Sequence, residues 1–205
     1  MKYLLTFLTF ATLQANAALW QSEPTQSDLN YRVKFERLPI KGQFSRFKVA
    51  LSMIDKVPQK LFVEIDINSV NMGNDDIDQA IKESDWFHIA RFPKATFISK
   101  DFILPSDSEF IARGELSLKG VTQPLNIPMT IQTINTATES LTSSNEKSLT
   151  SSLTHALKLE GKVEVNRLDF LIGMGDWAIG DTIGICPSSN KLINLSHSIS
   201  VISPT

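Results

Sequence analysis

The chain has one cysteine, Cys186, among its 205 residues, so no internal disulfide can staple the fold and its stability must come from an apolar core. Such a thiol is expected to be buried and unreactive. Histidine is almost as scarce. His88, His155 and His197 stand far apart, with no H-E-x-x-H or other ligand spacing, which leaves no basis for a zinc site. There is no G-x-S-x-G elbow, phosphate loop or G-x-G-x-x-G fingerprint, so the chain is read as not an enzyme. Asp66, Asn68, Asn71 and Asp75 lie close together, but they do not follow the calcium-loop spacing and turns use the same residue types; no metal is expected. An excess of one charge is also missing. The 20 Lys and Arg residues are scattered and face 22 Asp and Glu, so the phosphate-neutralising patch of a nucleic-acid binder is not there.

Long apolar runs are confined to the beginning. Lys2, the apolar stretch Tyr3 to Leu13, and Ala15-Asn16-Ala17 follow the order of an export signal: positive, apolar, small-x-small. The run is shorter than the roughly 20 residues a membrane-spanning helix needs. Residues 1–17 are therefore expected to be a cleaved signal peptide and 18–205 a single domain, peripheral to a membrane at most.

What is present is alternation. Tyr31, Val33 and Phe35 alternate with Arg32, Lys34 and Glu36. Phe47, Val49 and Leu51 alternate with Lys48, Ala50 and Ser52, and Leu61, Val63, Ile65 and Ile67 follow the same period of two. The pattern returns in 96–102, 110–118, 125–131, 157–165, 182–185 and 193–201, about eight strands with one dry face each. Pro and Gly punctuate the joints, with Pro128 alone inside a strand, which marks an edge, a bulge or a strand end. Residues 74–84 break the rhythm: Ile77, Ala80 and Ile81 have helical spacing, Asn74 is placed to cap, and Asp75, Asp76 and Asp78 suit a helix start. Residues 135–155 repeat Ser-Leu-Thr-Ser-Ser and hold too few apolar groups to pack, so a flexible Ser/Thr-rich hairpin loop is expected there, free to act as a lid or docking loop. Many strands with one short helix define an all-β fold, a sandwich or a closed barrel. An eight-stranded barrel is just wide enough for one elongated ligand, and periodicity alone does not separate a filled interior from a hollow one.

Several segments together carry a resemblance. Ser84-Asp85-Trp86-Phe87, the run Phe92 to Ser99, and Gly114 to Leu125 resemble the signature segments of the YceI-like family of polyisoprenoid-binding proteins. Gly42-Gln43-Phe44, Ile65 to Val70, and Arg167-Leu168-Asp169-Phe170 through Trp177 extend it over most of the chain. The resemblance implies an elongated, eight-stranded, antiparallel lipocalin-like barrel with a helix beside it, exported to the periplasm. Its apolar channel would take an isoprenoid chain of the quinone or polyprenyl phosphate type, or a fatty acid or amide. The candidate cavity residues are Phe35, Phe44, Phe47, Val49, Leu51, Val63, Ile65, Trp86, Phe87, Phe97, Leu116 and Trp177. Arg46, Arg91, Lys94 and Arg167 are the candidate head-group cations, Arg167 foremost because it sits in a family segment. No His precedes Gly42, where one branch of the family carries it, and the 135–155 stretch is longer than the family loop.

Three functional readings follow. The first is a lipid carrier or reservoir, the second a quinone-dependent redox or stress-response accessory to a membrane cytochrome, and the third a filled barrel acting as an interaction module. No cofactor is required; an isoprenoid quinone or polyprenyl lipid would be the bound group. Burial contributes about 0.8 kcal/mol per CH₂, so four isoprene units offer on the order of 10 to 15 kcal/mol before ordering costs, and the tail can carry the affinity.

Overall fold

The computed structural model describes residues 17–35, 38–139, 151–175, 179–186 and 193–197. The alternating segments form strands β1 (Ala17–Ser22), β2 (Leu29–Phe35), β3 (Leu38–Phe44), β4 (Phe47–Ile54), β5 (Val57–Asp66), β6 (Val70–Asn71), β7 (Lys94–Ser106), β8 (Glu109–Leu118), β9 (Val121–Glu139), β10 (Ser151–Gly161), β11 (Val163–Asn166), β12 (Thr182–Cys186) and β13 (Ile193–His197). A single helix, α1 (Asp75–Ala80), and two 3-10 turns, Ile67–Ser69 and Arg167–Phe170, complete the described elements.

Eight strands close into an antiparallel barrel in the order β1-β13-β10-β9-β8-β7-β5-β4, with β4 returning to β1. The remaining strands form a five-stranded sheet, β11-β12-β2-β3-β6. Tight hairpins set the barrel's register. Asp55 and Lys56, at φ 48 and 69, join β4 to β5, and Lys119 and Gly120, at φ 49 and 76, join β8 to β9. Two successive positive φ values match the twist of the flanking strands, which is why such loops are favoured in two-residue hairpins. Pro128 lies one residue beyond Met129↔Gly161, the last pair that β9 makes with β10. Its missing N–H therefore interrupts no ladder on that side.

The dry faces meet as the alternation requires. Val49↔Val63, Val63↔Phe97 and Phe97↔Leu116 align one lateral row across β4, β5, β7 and β8. This row packs with Leu51, Leu61, Ala112 and Leu159 into one cluster. A second cluster, around Leu29, Tyr31, Phe44, Ile67, Val70, Ile81 and Ala95, links the five-stranded sheet to it, and Phe47, Trp86, Phe87, Leu118 and Ile185 touch both.

Four differences from the sequence reading have physical causes. The dry faces of β2, β3 and β12 form a second layer, because these strands pair with one another rather than with the barrel. Pro39 and Gly42 sit within β3 and not at a joint; Pro39 faces Lys34, and Gly42 faces Tyr31. The 157–165 segment is two strands broken at Lys162, with β11 leaving the barrel for the second sheet. Finally, β9 and β10 reach into the Ser/Thr-rich stretch, pairing from Asn135↔His155 to Glu139↔Ser151, since a backbone ladder needs no apolar side chains. Residues 140–150, and the expected signal peptide apart from Ala17, lie outside the described residues.

Candidate functional site

A cavity of about 290 Å³ lies between the second sheet and α1, at the lower end of the range for small-molecule pockets. Tyr31 and Val33 of β2, Ile40 of β3 and Ile183 of β12 form its floor. The opposite wall comes from Ile77, Ala80 and Ile81 of the helical segment, then Trp86 and Phe87; Met72, Arg167, Ile172 and Ile179 close the sides. Apart from Tyr31, Trp86 and Arg167, the lining has no polar side chain. Such a space favours an apolar occupant, whose transfer from water contributes roughly 25 cal/mol per Å² buried.

Local sequence explains how the wall is held. Asn74 caps α1, its side chain accepting from the Ile77 N–H at 3.1 Å, and Asp78 accepts from the Met72 N–H at 2.7 Å. The helix ends at Ala80, earlier than the expected 84, because the chain turns back: the Phe87 N–H donates to the Ile81 carbonyl at 3.0 Å, which brings Trp86 and Phe87 over the second sheet. Trp86 rests against Gly173, where an added Cβ would stand 2.7 Å from the indole; Gly173 also has φ 56, a conformation that suits glycine.

Arg167 is 2% exposed. Its Nη1 donates to the carbonyls of Ile172, at 2.7 Å, and Gly173. Nη2 donates to Ile179, at 3.0 Å, and to the Asp181 carboxylate at 3.4 Å, while Nε reaches Gly180 at 3.3 Å. All five guanidinium hydrogens thus have protein acceptors. The guanidinium also lies 5.9 Å from the Trp86 ring centre. Arg167 ties the segments around 172 and 180 together beside the cavity, and no donor is left for a head group, which corrects the role expected for it.

The other head-group candidates lie elsewhere. Arg46 pairs with Asp66 at 2.8 Å, Lys94 pairs with Glu64 at 2.9 Å, and Arg91 stacks on Phe92 at 5.2 Å, all three exposed on the outside. Of the apolar candidates, Trp86 and Phe87 line the cavity. Val49 and Leu51 are 1% and 0% exposed, so no water-sized space touches them, and Phe97 and Leu116 are buried in the same cluster. These four belong to packed core rather than to an open tube, because the row across β4 to β8 interlocks with its neighbours. Phe44 is buried against Tyr31, ring centres 5.1 Å apart, and Phe47, Val63 and Ile65 are half-buried. The side chain of Phe35, and Trp177 as a whole, lie outside the described residues.

Sequence reasoning did not nominate Tyr31, Val33, Ile40, Met72 or Ile183 for the site. The signal for Tyr31 and Val33 was visible in their alternation, but the periodicity of a strand does not say which layer its dry face joins. Beside the cavity, a wetter pocket of about 610 Å³ shares Trp86 and is bordered by Asp85, Lys119, Leu171 and Met174. The Lys119 ammonium donates to the carbonyls of Asp85, at 3.0 Å, and Leu171, at 2.6 Å. Partial burial pulls its pKa below the usual lysine range, an effect that Asp85 opposes.

The fold and the cavity define a class: antiparallel barrels with an added sheet and helix that enclose apolar space. Within that class, the YceI-like domain model matches residues 20–187, and the chain belongs to that family. Protein YceI of Salmonella newport is 29% identical over 130 residues, spanning 61% of this chain and 68% of that protein. The crystal structure of Burkholderia cenocepacia BcnA has the same fold, with a TM-score of 0.66 at 19% identity over 87% of this chain and 99% of BcnA. So does a polyisoprenoid binding domain from Saccharophagus degradans, with a TM-score of 0.61 at 15% identity over 90% of this chain and 100% of that domain.

Proposed function

We propose that this protein binds a long-chain isoprenoid lipid and carries or stores it in the periplasm, without catalysing a reaction. The observation that supports this best is the apolar cavity between the second sheet and α1, lined almost wholly by aliphatic and aromatic side chains. The cavity is small for a whole polyprenyl chain, so it holds one end of the lipid and the rest of the tail follows the neighbouring surface, where Leu171 and Met174 are exposed beside the wetter pocket. The name of the Saccharophagus domain supports isoprenoid as the ligand class. The signal-like residues 1–17 are the reason for placing the protein in the periplasm.

The test is extraction. Protein purified from its native source is treated with organic solvent and the extract is analysed by mass spectrometry, while the stripped protein is offered isoprenoid quinones and polyprenyl analogues. Near-stoichiometric lipid, or saturable uptake, is the expected result. An empty extract together with no uptake of either analogue would sink the proposal. If a quinone is recovered, following its reduction by periplasmic electron donors decides between a carrier and a redox accessory to a membrane cytochrome: a carrier shows no turnover.

A further inference from the structure

Three side chains of the cavity wall carry N–H or O–H donors: Arg167, Trp86 and Tyr31. Those of Arg167 are all engaged by protein acceptors, and Trp86 is only half-buried. Tyr31 is different. It is 6% exposed, and its hydroxyl oxygen is buried with no hydrogen-bond partner. Buried hydroxyls are nearly always paired, so one without a partner beside an apolar cavity marks a contact that an occupant would complete.

We propose that Tyr31 donates its hydroxyl hydrogen to an uncharged carbonyl-type oxygen on the head of the bound lipid, so that the cavity favours a quinone-like head over a phosphorylated one. The inference rests on the lipid-binding reading above and names the head group that reading leaves open. The ring is fixed for this role. It lies across Gly42, where a Cβ would fall 2.3 Å from the ring carbon bearing the hydroxyl, and against Phe44. Met72, in the same wall and one residue past the Asn71↔Gln43 pair, is unbranched and flexible, so it can yield to let an oxygen reach the hydroxyl.

Charge argues for neutrality. The Asp78 carboxylate acts on the Tyr31 hydroxyl and is held in place by the Met72 N–H. A phosphate here would lose its water, find the one cation of the wall, Arg167, with its donors already engaged by protein acceptors, and face that carboxylate, whereas a carbonyl loses one weak water contact and regains it from Tyr31. Burial, with Asp78 second, also keeps the phenol protonated far into the alkaline range, so the donor persists.

The full-length protein, stripped of lipid, is offered three probes: a tetraprenyl benzoquinone, squalene, and tetraprenyl phosphate. Tyr31→Phe is expected to weaken the quinone about three- to tenfold, the loss of one neutral hydrogen bond, and to leave squalene binding unchanged. Wild-type protein is expected to bind the quinone more tightly than the phosphate. Infrared spectroscopy of the quinone on wild-type protein gives a readout that needs no variant: one carbonyl stretch should move to lower wavenumber. A folded Tyr31→Phe protein with wild-type quinone affinity, an unshifted carbonyl stretch, or preference for the phosphate would each overturn the assignment. Squalene uptake separates the two readings: if squalene binds while these outcomes fail, only the role of Tyr31 falls; if no probe binds, the lipid-binding reading falls with it.

Discussion

Tyr31 and Gly42 face each other across β2 and β3, and neither works without the other. The bare Cα of Gly42 leaves room for the ring, so Gly42→Ala forces an overlap with the far end of the buried Tyr31 side chain, which must shift, and should destabilise the protein by about 1 to 3 kcal/mol, measured by urea unfolding. Tyr31 also fixes an alkaline limit. Its folded pKa lies above the ordinary phenol value, so its contribution is fully present below about pH 10 and is lost as the pH rises above that, where the unfolded phenol ionises first. Stability followed from pH 8 to 11 should fall less steeply at the top of this range in Tyr31→Phe; identical slopes would show that the phenol is not shielded. At Arg167 a lysine has too few donors and the wrong shape for five acceptors. Arg167→Lys should therefore cost a few kcal/mol and alter Trp86 fluorescence, whereas a silent variant would contradict the network. Arg167 could be found in the sequence by its family segment, but its purpose could not, because the carbonyls it holds come from residues 5 to 13 positions away.

Among the elements, α1 is short for a helix and depends on its ends. Asn74→Ala removes the cap and should cost about 1 kcal/mol, with faster amide exchange through residues 75–87 and no change at the barrel strands β7 and β8. Uniform loosening would mean that the helix is not a separate unit. This element was legible from Ile77, Ala80, Ile81 and the cap, and its length was not, because the turn at 81–87 is set by tertiary contacts of Trp86 and Phe87 rather than by helix propensity. Strand faces were equally legible: Val49, Val63, Phe97 and Leu116 emerge as one row. Their destination was hidden. Period-two alternation states that a face is dry and is silent on whether it meets another strand, a helix or a ligand, so it does not distinguish Val49, Leu51, Phe97 and Leu116, which are packed in the core, from residues that line a cavity.

For the molecule as a whole, the family and the closed barrel were readable from motifs spread over most of the chain, while the second sheet was not, since it joins strands as distant as β2 and β12. If the cavity holds lipid, occupancy must stabilise the fold by linkage. At a free ligand concentration near 100 times Kd the gain is about 2.7 kcal/mol, or roughly 5 to 10 °C in melting temperature for a chain of this size. Stripped and reloaded samples compared by calorimetry should show that interval, and coincident curves at saturating lipid would deny specific binding.

The borders of the second sheet have a consequence of their own. A closed ring offers no open flank, and the five-stranded layer ends on its two shortest strands, β6 with two residues and β11 with four. Along β6 or β11 themselves a stranger's backbone finds almost no ladder, but β6 covers only Gln43 and Phe44 of β3 and leaves the flank of residues 38–42 without a strand partner. Self-templated fibre growth is thereby confined, among the described residues of this sheet, to that short flank, which carries Pro39 and Lys41, two residue types that blunt an exposed strand edge.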